Sequence, residues 1–142
     1  MFKPLSVVLV SIFLFAACDS ADSDNSLQPR FFISVMDEST TIASGDFMFG
    51  EEPQPGVSAT GTFSLSTTSG EPIEPMMSTS GEFDFVVTDE GRLAVTIEEP
   101  GVSDTGLRFE GEYDISGFSG EWGTITFAGY TEQGTFQADP IL

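Results

Sequence analysis

The chain has 142 residues with 23 acidic side chains against 4 basic ones, no histidine and one cysteine. Such a balance repels nucleic acid and anionic lipid headgroups, which excludes nucleic-acid binding. The missing histidine removes the commonest general base and the commonest metal ligand, and a single cysteine excludes an internal disulfide.

Met1-Phe2-Lys3 puts one positive charge at the start, and Leu5 to Ala17 is an apolar run. It falls short of the roughly 20 apolar residues a membrane-spanning helix needs. A charged start, a short apolar stretch and small residues before a cut describe a secretory signal peptide over residues 1–17. Ala16-Ala17-Cys18 resembles the lipobox of bacterial lipoproteins, with Phe15 where that family usually carries Leu. The resemblance covers Met1 to Cys18. It implies cleavage between Ala17 and Cys18, acylation of the Cys18 thiol and a place in the cell envelope. Each buried acyl methylene contributes roughly 0.8 kcal/mol, and two or more chains give a stable anchor. In that family an Asp after the cysteine can signal inner-membrane retention, and an acidic stretch can direct the protein to the cell surface. Asp19, Asp22 and Asp24 fit either rule, and the outer membrane is the favoured expectation.

Residues 18–28 are polar and acidic with almost nothing to bury, and read as a flexible tether. The body, residues 29–142, keeps only Arg30, Arg92 and Arg108 as basic groups. With the tether it carries a net charge of about −20, an acidity of the kind that keeps proteins soluble in high salt.

From Arg30 onward apolar residues recur with a period of two. Phe31, Ile33 and Val35 open the series, followed by Phe47 and Phe49, then Gly61, Phe63 and Leu65. Phe83, Phe85 and Val87 come next, then Leu93, Val95 and Ile97, then Leu107, Phe109, Gly111 and Tyr113. Gly123, Ile125 and Phe127, and finally Gly134, Phe136 and Ala138, complete it. Alternation with one polar face predicts antiparallel strands wetted on one side. Proline-rich or glycine-ended linkers at 52–56, 71–75, 89–91 and 99–101 separate them, and Gly117-Phe118-Ser119-Gly120 reads as another tight connection.

The segment from Glu51 to Gly61 parallels that from Glu98 to Gly106, and Ser80-Gly81-Glu82-Phe83 parallels Ser119-Gly120-Glu121-Trp122 in the same order. Two three-strand copies plus a leading and a closing strand give eight. The predicted fold is all-β: a small antiparallel up-and-down barrel of about eight strands, or else a β-sandwich. Folding the 89–91 hairpin sets Phe85 opposite Val95, and the next loop sets Val95 opposite Phe109, with Arg92 across from Glu112 on the wet face. A turn at Gly117 sets Tyr113 opposite Gly123. The outline resembles lipocalin-like and other calycin-like barrels, without the Gly-x-Trp that lipocalins usually carry near the first strand.

No catalytic constellation appears. The carboxylates of Glu110, Glu112 and Asp114 form a ladder on a solvated face, where nothing raises a pKa for acid catalysis. No metal or cofactor motif is present. Phe83, Phe85, Phe109, Tyr113 and Phe127 are expected to share the interior, filling it or lining a pocket. Strict alternation turns Trp122 outward as an exposed contact residue, unless a bulge turns it in. Two functions follow as expectations. The first is a non-catalytic binding module of the envelope with a protein partner. The second is a lipocalin-like carrier of a small apolar ligand or lipid.

Overall fold

The computed structural model describes residues 28–142, so Ala17, Cys18 and the expected signal peptide lie outside the described residues, as does nearly all of the tether. Eight strands follow in order: β1 (Arg30–Asp37), β2 (Thr40–Phe49), β3 (Ser58–Thr67) and β4 (Ser80–Val87), then β5 (Leu93–Glu98), β6 (Gly106–Asp114), β7 (Gly117–Thr126) and β8 (Gly129–Pro140). Each pairs antiparallel with the next, and β1 pairs with β8 from Phe31↔Pro140 to Met36↔Thr135, closing an up-and-down barrel. Closure gives every strand a hydrogen-bonded neighbour on each side, so no strand is left unpaired along its whole length.

An even strand count brings both ends of the barrel chain to one rim. Arg30 starts β1 there, Pro140 ends β8 there, and the Ile141 amide donates to the Arg30 carbonyl at 2.8 Å. The 50–57 and 88–92 loops and the Ile115-Ser116 turn share this rim. The opposite rim carries the turn after β1, the 68–79 and 99–105 loops and the tip between β7 and β8.

Inward-facing positions alternate glycine with large aromatics. Gly45-Asp46-Phe47, Gly61-Thr62-Phe63, Gly81-Glu82-Phe83 and Gly134-Thr135-Phe136 each place a glycine one inward step from a ring. Across strands the rings face glycines: Phe63↔Gly81, Gly61↔Phe83, Gly120↔Phe136 and Trp122↔Gly134. A Cβ at Gly61 would lie 2.3 Å from the Phe83 ring, so the missing side chain is the space the ring occupies. Large and small residues thereby interdigitate in a lumen that eight strands make only wide enough for side chains.

The rings fill that lumen. Phe47 on β2 meets Phe83 at 5.1 Å and Phe109 on β6 at 5.3 Å, and Phe109 meets Phe136 on β8 at 5.3 Å. The Phe47–Phe109 and Phe109–Phe136 pairs are edge-to-face, and such pairs add about 0.5–1.5 kcal/mol each beyond their buried area. Buried Pro53 from the 50–57 loop sits near one rim and buried Met76 from the 68–79 loop near the other.

The 89–91 loop is the three-residue turn the spacing predicts, with the Thr88 amide donating to the Arg92 carbonyl at 2.7 Å and Gly91 at φ 77°. Phe85↔Val95 and Val95↔Phe109 also pair as expected. The turn before β7 differs from expectation. It is the two-residue Ile115-Ser116 connection, with Asp114↔Gly117 and Tyr113↔Phe118 as the next pairs. Asp114 fixes it by accepting from the Ser116 amide at 2.7 Å and from the Ser116 hydroxyl, an Asx turn that glycine spacing does not signal.

Moving the turn changes the register by an odd number of residues and exchanges the two faces of β7. Phe127, expected in the interior, is 95% exposed at the tip between β7 and β8. Trp122, expected as an exposed contact, is 3% exposed and packs on Phe109. The turn brings it in, not a bulge of β7. The one irregularity beside it lies on β8, where Gln133 is skipped between Trp122↔Gly134 and Gly123↔Glu132.

The two sequence copies correspond to β2–β4 and β5–β7. Gln54-Pro55-Gly56-Val57 and Glu99-Pro100-Gly101-Val102 form the same turn: the fourth residue's amide bonds the first residue's carbonyl at 3.2 and 3.1 Å, with the glycines at φ 73° and 80°. Proline second and glycine third are what a type II turn requires. Three strands per copy is an odd number, so the second copy is inverted and the two turns lie at opposite rims.

Candidate functional site

The aromatics expected inside divide into three groups. Phe83, Phe85 and Phe109 are buried core side chains. Tyr113 is half-buried at the rim that holds the chain ends, against Phe31, with its hydroxyl donating to Glu52 Oε1 at 2.6 Å. Burial first, and then the Glu52 carboxylate, push the Tyr113 phenol above its ordinary pKa. Phe127 stands apart from all of them. Phe83, Phe85 and Phe109 therefore fill the core, and of these Phe83 also borders the cleft described below. Trp122 donates from Nε1 to the Met36 carbonyl at 2.8 Å, which satisfies the one polar atom it takes inside.

Arg92, Arg108, Glu110 and Glu121 gather on the outer face of β5–β7. Arg92 lies 3.5 Å from Glu110 and 2.9 Å from Glu121, and the Arg108 Nη2 lies 2.7 Å from Glu110. Arg92 therefore reaches Glu110 and Glu121 and not the expected Glu112. Glu110, the first member of the acidic ladder, is held between two guanidinium groups. Arg30 pairs with Asp46. All three described arginines are thus committed to carboxylates.

The candidate site lies where the barrel wall is interrupted. β4 and β5 pair only from Asp84↔Thr96 to Val87↔Leu93, although both strands continue toward the rim opposite the chain ends. Continuation would pair Phe83 with Ile97 and Glu82 with Glu98, and neither pair forms. A cleft of about 630 Å³ occupies the gap, within the size range of ligand pockets. Phe63, Phe83 and Met76 form its apolar floor, and Glu82, Asp84, Glu98 and Glu99 surround it.

Two loops hold the strands apart. The Glu99 side chain, 9% exposed, accepts from the Met77 amide at 2.9 Å, tying the loop after β5 to the loop after β3. The Glu99 amide donates to Thr105, and the Glu99–Val102 turn carries the chain away from β4. Met76 is thereby seated at the open end of the gap. The Ser78 hydroxyl takes up the backbone of Ser80, bonding its amide at 3.3 Å and its carbonyl at 2.7 Å, so β4 begins with its edge already occupied there. Arg108, on β6 opposite Thr96, is the nearest cation and is turned to Glu110 through Nε and Nη2.

Sequence reasoning did not find this cleft. Periodicity marks which face a residue takes, and the strands that border the gap alternate as regularly as the rest. The one signal in the chain is the short apolar run of β5 beside a longer β4. Chemically, the site offers carboxylates over an apolar floor and no basic group free to compete. Among the described residues, no three acidic side chains converge as a metal-ligand set. The arrangement suits an extended positive ligand with some apolar surface. The fold and site define a closed, filled, eight-stranded antiparallel barrel with a notch in its wall. No family model matches the chain, and neither a curated protein nor a solved structure matches it.

Proposed function

We propose that this protein is a non-catalytic binding module of the bacterial cell envelope, anchored by acyl chains on Cys18, and that it receives a positively charged ligand in the cleft between β4 and β5. The observation that carries the site is the interrupted β4–β5 pairing bordered by Glu82, Asp84, Glu98 and Glu99. The anchor rests on the Ala16-Ala17-Cys18 resemblance. Geometry is consistent with it: the chain enters the barrel at one rim and the cleft opens toward the other, so an anchored barrel presents the cleft away from the bilayer. Eleven residues between Cys18 and Arg30 reach at most about 40 Å when extended.

The filled lumen supports a binding module over a carrier of an apolar ligand. Phe47 and Phe109 touch across the axis, and a ligand there would have to displace packed rings. The outer membrane is the favoured location, with a protein of the same compartment as partner.

Two measurements test the reading on full-length protein extracted from membranes. Intact mass spectrometry is expected to show diacyl or triacyl modification at Cys18, and Cys18→Ser is expected to lose it and leave the membrane fraction. Titration calorimetry with spermine is expected to show binding that weakens at high salt and falls several-fold in Glu82→Gln/Glu98→Gln. An unacylated protein overturns the anchor, and failure to bind any cationic probe, spermine included, overturns the cleft.

A further inference from the structure

Resting on the cleft assignment above, we infer that the occupant is an extended, lysine- or arginine-bearing segment of another protein, docking by its backbone along the free edge of β4. The alternation of backbone bonds decides which peptide groups face the gap. On β4 the odd-numbered positions serve β3: the Leu65 amide bonds the Thr79 carbonyl at 2.7 Å, and Phe63↔Gly81 and Gly61↔Phe83 continue that phase. On β5 the odd positions serve β6, as the Glu99 amide bond to Thr105 at 2.9 Å shows. Glu82 and Glu98 therefore turn their peptide groups toward each other across the gap, in the stretch where no pairing forms. A sheet edge of this kind is completed by an added strand, whose main chain gives affinity and whose alternate side chains give specificity.

The same alternation states what the added segment must look like. Side chains pointing into the barrel meet Phe63, Phe83 and Met76, so those positions are apolar. Side chains pointing out meet Glu82, Asp84 and Glu98, so those positions are basic. The recognised pattern is basic–apolar–basic in an extended conformation. A helix uses its main-chain groups internally and does not fit.

Charge excludes the chain's own segments. The sequence before β1 carries Asp19, Asp22 and Asp24 and joins the barrel at the opposite rim. A second copy brings 20 acidic residues against three arginines over residues 28–142. Like charges placed together disfavour both, and opposite charge selects a basic partner and raises its association rate.

The test uses full-length protein in neutral detergent and three probes: the capped peptide acetyl-Lys-Val-Lys-Val-Lys-amide, the same peptide N-methylated along its backbone, and spermine. The unmodified peptide is expected to bind at least tenfold more tightly than its N-methylated form, because methylation removes the donors that an added strand needs. Glu82→Gln/Glu98→Gln is expected to weaken it several-fold, and amide signals of Glu82 and Glu98 are expected to shift on binding. Equal binding of the two peptides overturns strand addition while leaving a cation-binding cleft. Binding of neither peptides nor spermine overturns the cleft itself.

Discussion

Phe47 and Phe109 lie with ring centroids 5.3 Å apart at 90°, although β2 and β6 stand four strands from each other in either direction around the barrel. The contact crosses the axis, and it is what makes this barrel a solid body. Both rings are fully buried. Phe47→Ala or Phe109→Ala is expected to cost about 3–5 kcal/mol, the range for buried aromatics, read from urea unfolding. An apolar fluorescent dye is expected to stay unbound by the native protein and to bind the Phe109→Ala variant at the cavity so opened.

Trp122 supplies an intrinsic reporter of the register. Its emission is expected to be blue-shifted and poorly quenched by acrylamide, moving to the red only on unfolding. Trp122→Ala loses both packing on Phe109 and the bond to Met36, and is expected to cost about 3–5 kcal/mol. Phe127→Ser, at the exposed tip, is expected to change stability by no more than about 0.5 kcal/mol. Reversed sensitivities would mean that β7 presents its other face.

Gly111 and Gly120 pair across β6 and β7 with no room for a side chain. A Cβ on Gly111 would lie 1.9 Å from the Ser119 carbonyl oxygen, and one on Gly120 would lie 2.1 Å from that of Glu110. Backbone atoms cannot yield as a flexible side chain can. Gly111→Ala and Gly120→Ala are each expected to lower the thermal midpoint sharply or abolish folding, whereas Gly70→Ala, in an open loop at positive φ, is expected to cost far less. Thermal melts by circular dichroism compare the three.

Two titrations bracket the pH range. Tyr113 has its pKa raised by burial and by Glu52, so its contribution is complete below the ordinary tyrosine value near 10 and is lost as pH rises through the folded value. Asp114 has its pKa lowered by the Ser116 bonds, so its contribution is present above the ordinary value near 4 and is lost as pH falls through the folded value. Tyr113→Phe is expected to flatten the alkaline limb of stability against pH, and Asp114→Ala the acid limb. Ultraviolet titration should show both tyrosines ionising late, because Tyr130 is shifted upward as well, chiefly by burial.

Most of the barrel was legible because alternation is a local property of the chain. Phe85, Val95 and Phe109 could be set facing one another from loop lengths alone. β7 is less legible, because glycines mark turns as readily as they mark places where strands pack closely. Gly117 and Gly120 lie within the strand, and the turn is made by Asp114 bonding Ser116. A correct reading was available in the spacing Gly120-Glu121-Trp122, which repeats the inward Gly-x-Phe of 45–47, 61–63, 81–83 and 134–136. The parallel between 80–83 and 119–122 says the same, since Phe83 and Trp122 occupy matching inward places. The cleft was illegible for a different reason. It arises from Glu99 bonding Met77 at a sequence distance of 22, a tertiary link that no periodicity encodes.

With β1 beside β8 and Ile141 tied to Arg30, the barrel is a ring whose natural break sits on one circumference only. A fluorescent reporter fused after Leu142 would ride next to the rim where β1 begins and stay clear of the notch, and a circular permutant opened at Phe127–Ala128 would put both new ends on the notched side instead. Comparing binding of the cationic peptide proposed above to those two variants turns the parity of the strand count into a ruler for which rim that peptide approaches.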